Sequence, residues 1–179
     1  MTARFYAVAG ALFLALTLPS CGGSSSTNPT TTTTTTLPAC TQTTVFSGPG
    51  ALPTSTLVHL TFTTSTSGRV DVIVDWTFAS SNIGVYLVPG NSCSVDQFNA
   101  RSCNFLFRSE SGAKPRKVSA PNVAAGSYDV LMANFSGQDE SASLQVILAS
   151  AGCPALTSAA VEDAGRGQVS VQQKAAFGR

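Results

Sequence analysis

The stretch from Arg69 to Val88, RVDVIVDWTFASSNIGVYLV, constrains this chain more than any other. Val70, Val72, Val74, Trp76 and Phe78 fall on one side of an extended chain. Asp71, Asp75 and Thr77 fall on the other, with Ile73 the one apolar exception. A period of two over this length predicts a strand with one face in a core. The β-branched and aromatic side chains suit a pleated surface. Ala79–Asn82 then connects to a second strand, Ile83–Val88, in which Ile83, Val85 and Leu87 alternate with Gly84 and Tyr86.

The same texture recurs downstream of Ala39. Thr43–Phe46 predicts a short first strand, and Gly48-Pro49-Gly50 a turn. Leu57–Thr63, Phe105–Arg108, Lys117–Ala120, Ser127–Phe135 and Ser141–Ala149 complete the set, with turn residues between them and no sustained helical period. The expectation is an all-β module, an antiparallel β-sandwich (jelly-roll-like) of about 7–8 strands. At 179 residues the chain has room for one such domain plus appendages. The boundaries fall at 1–20, 21–38, 39–153 and 154–179.

Segment 1–20 reads as an address. Arg4 precedes an uncharged apolar run, Phe5–Leu18. That run is shorter than the roughly 18–20 residues a membrane-spanning helix needs and fits a signal peptide. It closes on Leu18-Pro19-Ser20-Cys21, which resembles the bacterial lipoprotein lipobox. The resemblance implies that Cys21 is diacylated on sulfur and becomes the first, N-acylated residue of the mature chain. The membrane would then be a partner through the lipid. The location would be the bacterial cell envelope, at the outer membrane if the organism has one. An ordinary signal peptide cut after Ser20 or within Ser24–Ser26 satisfies the same residues. Segment 21–38 is uncharged, Thr-rich and almost free of apolar side chains, so it reads as a disordered, lipid-anchored linker. Its Thr and Pro content also suits an O-glycosylated stalk.

With Cys21 assigned to lipid, Cys40, Cys93, Cys103 and Cys153 remain. A secreted module sits where disulfides persist. Cys40 precedes the first strand and Cys153 follows the last, and domain termini commonly lie together. This favours Cys40–Cys153, leaving Cys93–Cys103 to close the loop between them. There is no CxxC, and the sole His is remote from any Cys, so neither metal nor cofactor is expected.

Gly68-Arg69-Val70-Asp71-Val72 with Val74-Asp75-Trp76 resembles the "G-x-v-x-v-x-v-x-W" strand of the bacterial pre-peptidase C-terminal domain family. Ile83–Leu87 is similar to its next strand, Val123–Val130 to its "l-x-a-G-x-Y-x-v" segment, and Ser143–Leu148 to its closing strand. The resemblance spans roughly Thr43 to Ala149. It implies a small non-catalytic β-sandwich, appended in that family to secreted enzymes and associated with polysaccharide or protein ligands. No peptidase precedes it here.

Only 11% of residues are charged and the net charge is +1, which gives nucleic acid no electrostatic footing. His59 sits in a strand without a GxSxG elbow anywhere in the chain, so a hydrolase using His59 is the remote alternative to a non-enzyme. Asp71 and Asp75, about 13–14 Å apart along one strand, are too far apart for a glycosidase pair and read as solvated charges. Trp76 faces the core. Tyr86 alternates outward and is a candidate for exposure, while Tyr128 after Gly126 fits a corner tyrosine that bonds the backbone. The expected ligand surface is Tyr86, the Cys93–Cys103 loop and the basic turn with Arg108, Arg116 and Lys117. The expected function is a cell-envelope lipoprotein displaying a non-catalytic binding or accessory module for a glycan or an envelope protein. The alternative is a structural envelope lipoprotein serving as partner subunit of a membrane complex. The tail, 154–179, lacks a sustained period and is expected to be disordered.

Overall fold

The computed structural model describes residues 39–110, 113–154, 156 and 169–174. The segments expected to be a signal peptide (1–20) and a linker (21–38), with Cys21, and the remaining parts of the tail lie outside the described residues.

The elements are β1 (Gln42–Leu52), β2 (Thr56–Thr64), β3 (Gly68–Trp76), β4 (Ile83–Pro89), α1 (Val95–Asn99), β5 (Phe107–Ser109), β6 (Arg116–Val123), β7 (Gly126–Asn134), β8 (Glu140–Ala149) and β9 (Val171–Lys174). They form two sheets, one in the order β1-β8-β3-β6 and one in the order β5-β4-β7-β2-β9. The first eight strands thus interleave as two Greek keys, the arrangement of a jelly roll. Every pairing is antiparallel except β2–β9, which is parallel.

The alternation in β3 fixes the core. Val70, Val72, Val74 and Trp76 point into the sandwich with Val85, Leu87, Val130, Met132, Leu144 and Val146. Each fully buried side chain of this size contributes about 1.5–3 kcal/mol relative to exposure. Gly68 opens β3 because a Cβ there would lie 2.7 Å from the Ala149 carbonyl oxygen of β8.

Several elements depart from expectation. Gly48-Pro49-Gly50 does not turn; β1 runs straight through it. β1 is an edge strand, where a proline's missing N–H costs no ladder bond. Phe78 lies beyond the end of β3 and is exposed, not in the core. Asp71 is fully buried, not solvated. Arg69 Nε and Nη2 each donate to its carboxylate at 2.8 Å, and Ser119 Oγ donates at 2.6 Å. Those hydrogen bonds raise the Arg69 pKa. Residues 169–174 of the tail join the five-stranded sheet, beyond the expected module boundary at Cys153.

The Cys93–Cys103 loop carries a helical turn that strand periodicity did not reveal. Ser94 caps α1, and Gln97 returns the contact to the Ser94 N–H at 2.9 Å, a capping box. This loop folds back over the outer face of the five-stranded sheet. Phe98 and Phe105 pack there on Tyr86, with ring centroids 4.9 and 5.3 Å away, and Leu57, Val88, Leu131 and Ala133 complete a second apolar cluster. The protein therefore has three layers over this sheet, which is why β4 and β7 are buried on both faces.

Both disulfides join the expected partners, Cys40–Cys153 with Cα atoms 4.4 Å apart and Cys93–Cys103 at 5.3 Å. The first lies at the end of the sandwich where the chain enters at Ala39. The loops β1–β2, β3–β4, β5–β6 and β7–β8 lie at the opposite, distal end.

Candidate functional site

The distal end is built on polar side chains that end strands and face inward. Glu140, the first residue of β8, is 4% exposed. Its carboxylate accepts from the Thr77 N–H at 2.9 Å, the Phe78 N–H at 3.1 Å and the Ser81 hydroxyl. Gln138 Nε2 donates to Ser81 Oγ at 3.0 Å, tying β7–β8 to β3–β4. Asn134, fully buried at the end of β7, donates to the Leu52 and Gln138 carbonyls at 2.8 and 2.9 Å and accepts from the Ser136 N–H at 2.9 Å. Thr54 adds the β1–β2 turn through its N–H to Asp139 at 2.8 Å. Lys114 reaches the Thr77 carbonyl at 3.2 Å and Asp75 at 3.4 Å. Hydrogen bonds to an ionised carboxylate are the stronger kind, so the β3–β4 loop is fixed rather than draped.

On this braced loop Phe78 projects outward, 48% exposed. Among the described residues Phe78 and Leu106 are the exposed large hydrophobics.

The residues singled out from sequence are distributed differently. Tyr86 is fully buried, so its expected exposure is overturned. Its side chain does point away from the sandwich core, as alternation required, but the Cys93–Cys103 loop covers that face. The ring leans back over Gly84, where a Cβ would sit 2.5 Å from the Tyr86 hydroxyl. That hydroxyl donates to Glu110 at 2.6 Å. Arg116 is 1% exposed and likewise offers no surface to a ligand. It points inward from β6, donates to the Ile83 carbonyl and to the Ser109 carbonyl (2.9 Å), and stacks 5.5 Å from the Trp76 ring centroid. Burial pushes its pKa down to about 10, opposed by electrostatic attraction to the Tyr86 and Glu110 oxygens, so it is cationic at neutral pH. Arg108 is half-buried in β5, and Lys117 is exposed on the outer face of β6, in the other sheet. The basic stretch is therefore not one patch. Tyr128 bonds the Ala124 carbonyl at 2.8 Å, as a corner tyrosine does.

His59 lines a small polar cleft with Asn91, Cys93, Ser94, Gln97 and Asp129. Its Nδ1 stands 4.0 Å from Asp129 Oδ2, beyond hydrogen-bond reach. The two Asp129 oxygens accept from Thr61 Oγ1 at 2.7 Å and from the Asn91 N–H at 2.8 Å. Ser94 Oγ accepts from the Gln97 N–H at 3.3 Å as the helix cap. These hydrogen bonds hold the loop to the sheet. Burial lowers the His59 pKa, with the Asp129 charge opposing. Among the described residues no cluster of His, Cys, Asp or Glu is suited to a metal ion.

No family model and no curated protein matches the chain. Solved structures similar to it include the following two. One is PliG of Aeromonas hydrophila, a periplasmic inhibitor of g-type lysozyme, at 12% identity and TM-score 0.40, with 62% of this chain and 86% of that chain covered. The other is the Yersinia pseudotuberculosis-derived mitogen, at 14% identity and TM-score 0.41, with 66% and 99% covered.

Proposed function

We propose that this chain is an envelope lipoprotein, anchored through Cys21, whose jelly roll is a non-catalytic module that presents its distal loops to a protein partner. The observation that carries this reading is Phe78, held in solvent on a loop fixed by the buried Glu140 carboxylate. A preorganised anchor loses little freedom on binding, and that is what makes a few contacts sufficient. The two disulfides support an extracytoplasmic location. A protein is favoured over a glycan because Trp76, Tyr86 and Tyr128 are all buried and supply no stacking platform. The chain enters the sandwich beside Cys40–Cys153, so a tether there leaves the distal loops facing outward.

A photo-crosslinking residue at position 78, compared with one at Ser67 near the entry end, tests the reading in intact cells. The expected result is one discrete protein adduct from position 78 and none from position 67. Adducts from both positions alike, or from neither, would count against it. For the anchor, Cys21→Ala should move the protein from the membrane to the soluble fraction.

A further inference from the structure

The segment Val169–Lys174 docks on the body as a separate peptide would. Val169 is 3% exposed, sunk into the apolar cluster on the outer face of the five-stranded sheet with Leu57 and Phe98. Asn99, the last residue of α1, reads its backbone in both directions. The Asn99 side-chain amide donates to the Val169 carbonyl at 2.8 Å and accepts from the Val169 N–H at 3.2 Å. The Ser170 N–H donates to the Ser55 carbonyl at 2.8 Å. β9 then pairs in parallel with one half of β2, Thr56 with Val171 through His59 with Lys174. A side chain that imitates a strand partner, a recess for one aliphatic residue and a run of open β2 edge make up a built acceptor for an extended peptide.

None of these contacts involves the covalent connection through 155–168. The acceptor is formed by β2, α1 and the turn at Ser55, all more than half the module away in sequence from the segment it holds. We propose that this acceptor also takes Val169–Lys174 from a second copy of the chain, so that two copies exchange β9. The peptide shown to fit the acceptor is the chain's own, and reciprocal exchange closes at two copies. The stretch 155–168, if extended, spans on the order of 45 Å, enough to reach a neighbour. In dilute solution the intramolecular mode wins, because the covalent connection holds the segment at roughly millimolar effective concentration. Crowded copies or a damaged acceptor favour exchange.

Complementary full-length variants test this. Val169→Asp puts a charge into the apolar recess and leaves the acceptor intact but empty. Asn99→Asp keeps the shape of α1 but sets a carboxylate against the Val169 carbonyl, leaving a free segment beside a spoiled acceptor. Each variant alone should be monomeric by light scattering. An equal mixture should give a one-way heterodimer, at least about tenfold more abundant than dimer in either variant alone. A mixture that stays monomeric while both variants keep their folded near-ultraviolet signal would overturn the proposal. A Ser55→Cys, Ser170→Cys chain provides the second measurement. Upon oxidation, the fraction of covalent dimer should rise with protein concentration. Intramolecular closure alone at every concentration would also overturn the exchange.

Discussion

Glu140→Ala removes the carboxylate on which the distal end depends, and its effect can be worked from the contacts. Three donors lose their acceptor: the N–H groups of Thr77 and Phe78 and the hydroxyl of Ser81. Hydrogen bonds to a charged group contribute about 1.5–3 kcal/mol each. Thr77 and Phe78 are themselves exposed, so water replaces part of what their amides lose, whereas Ser81 is 3% exposed and stays dry. The expected loss is about 3 kcal/mol. For a folded module of this size, about 4 °C of melting temperature per kcal/mol puts the drop near 12 °C. Glu140→Gln keeps one acceptor oxygen but turns an NH2 group toward one of the donors, and should lose about half as much. Thermal unfolding by circular dichroism, with disulfides intact, measures the loss, and amide exchange at Thr77 and Phe78 locates it. A drop below about 1 kcal/mol, or unchanged protection of those two amides, would refute the reasoning.

Other substitutions probe other parts of the frame. Replacing Cys40 and Cys153 by Ser frees a loop of sequence separation 113 and should cost about 4.8 kcal/mol, against about 2.7 for Cys93 and Cys103 with separation 10; paired denaturant titrations would show the order. His59 has a folded pKa below its ordinary 6.5, so the unfolded chain takes up the proton first as pH falls. The stability that His59 contributes as a neutral group is present above 6.5 and is lost as pH drops toward the folded value. His59→Gln should therefore flatten the slope of stability against pH just below 6.5, and an unchanged slope would contradict this. Tyr86→Phe leaves Glu110 without the phenol donor and should cost about 1–2 kcal/mol in a chemical denaturation. Phe78→Ser should leave the melting temperature within about 2 °C of the parent while abolishing the protein adduct from a photo-crosslinking residue at the adjacent exposed Ala79, which separates binding from folding.

Alternation was a sound guide to which side of a strand a residue occupies, and a poor guide to what lies on that side. Val70, Val72, Val74 and Trp76 were legible as core because nothing else can cover an inner sheet face. Tyr86 was placed on the correct side, but its cover comes from Phe98 and Phe105, in a loop whose fold depends on a disulfide and a capping box. The signal was present: β4 and β7 carry apolar residues on both faces, as Val88, Leu131 and Ala133 do here. Ser94 and Gln97 also had capping-box spacing. Asp71 misled because its partners, Arg69 and Ser119, come from its own strand and from β6, and pairing across strands is invisible until register is known. β9 was missed because four residues of parallel pairing carry no period of their own. The distal site was hidden for a related reason: Glu140 and Phe78 are far apart in sequence and meet only when β3 and β8 pair.

The Cys40–Cys153 bond has a mechanical meaning. A pull on Ala39 along the chain would peel β1 from β8 one pair at a time, beginning at Gln42 and Ala149. The disulfide stands just ahead of that first pair and stops the zipper before it opens. Load passes instead to Cys153, whose carbonyl, with that of Pro154, is gripped by Arg69 at 2.9 and 2.8 Å. Arg69 is the second residue of the interior strand β3 and is locked to the buried Asp71. Tension entering at the edge of the sheet is thus handed to its middle, where strands must shear together rather than unzip.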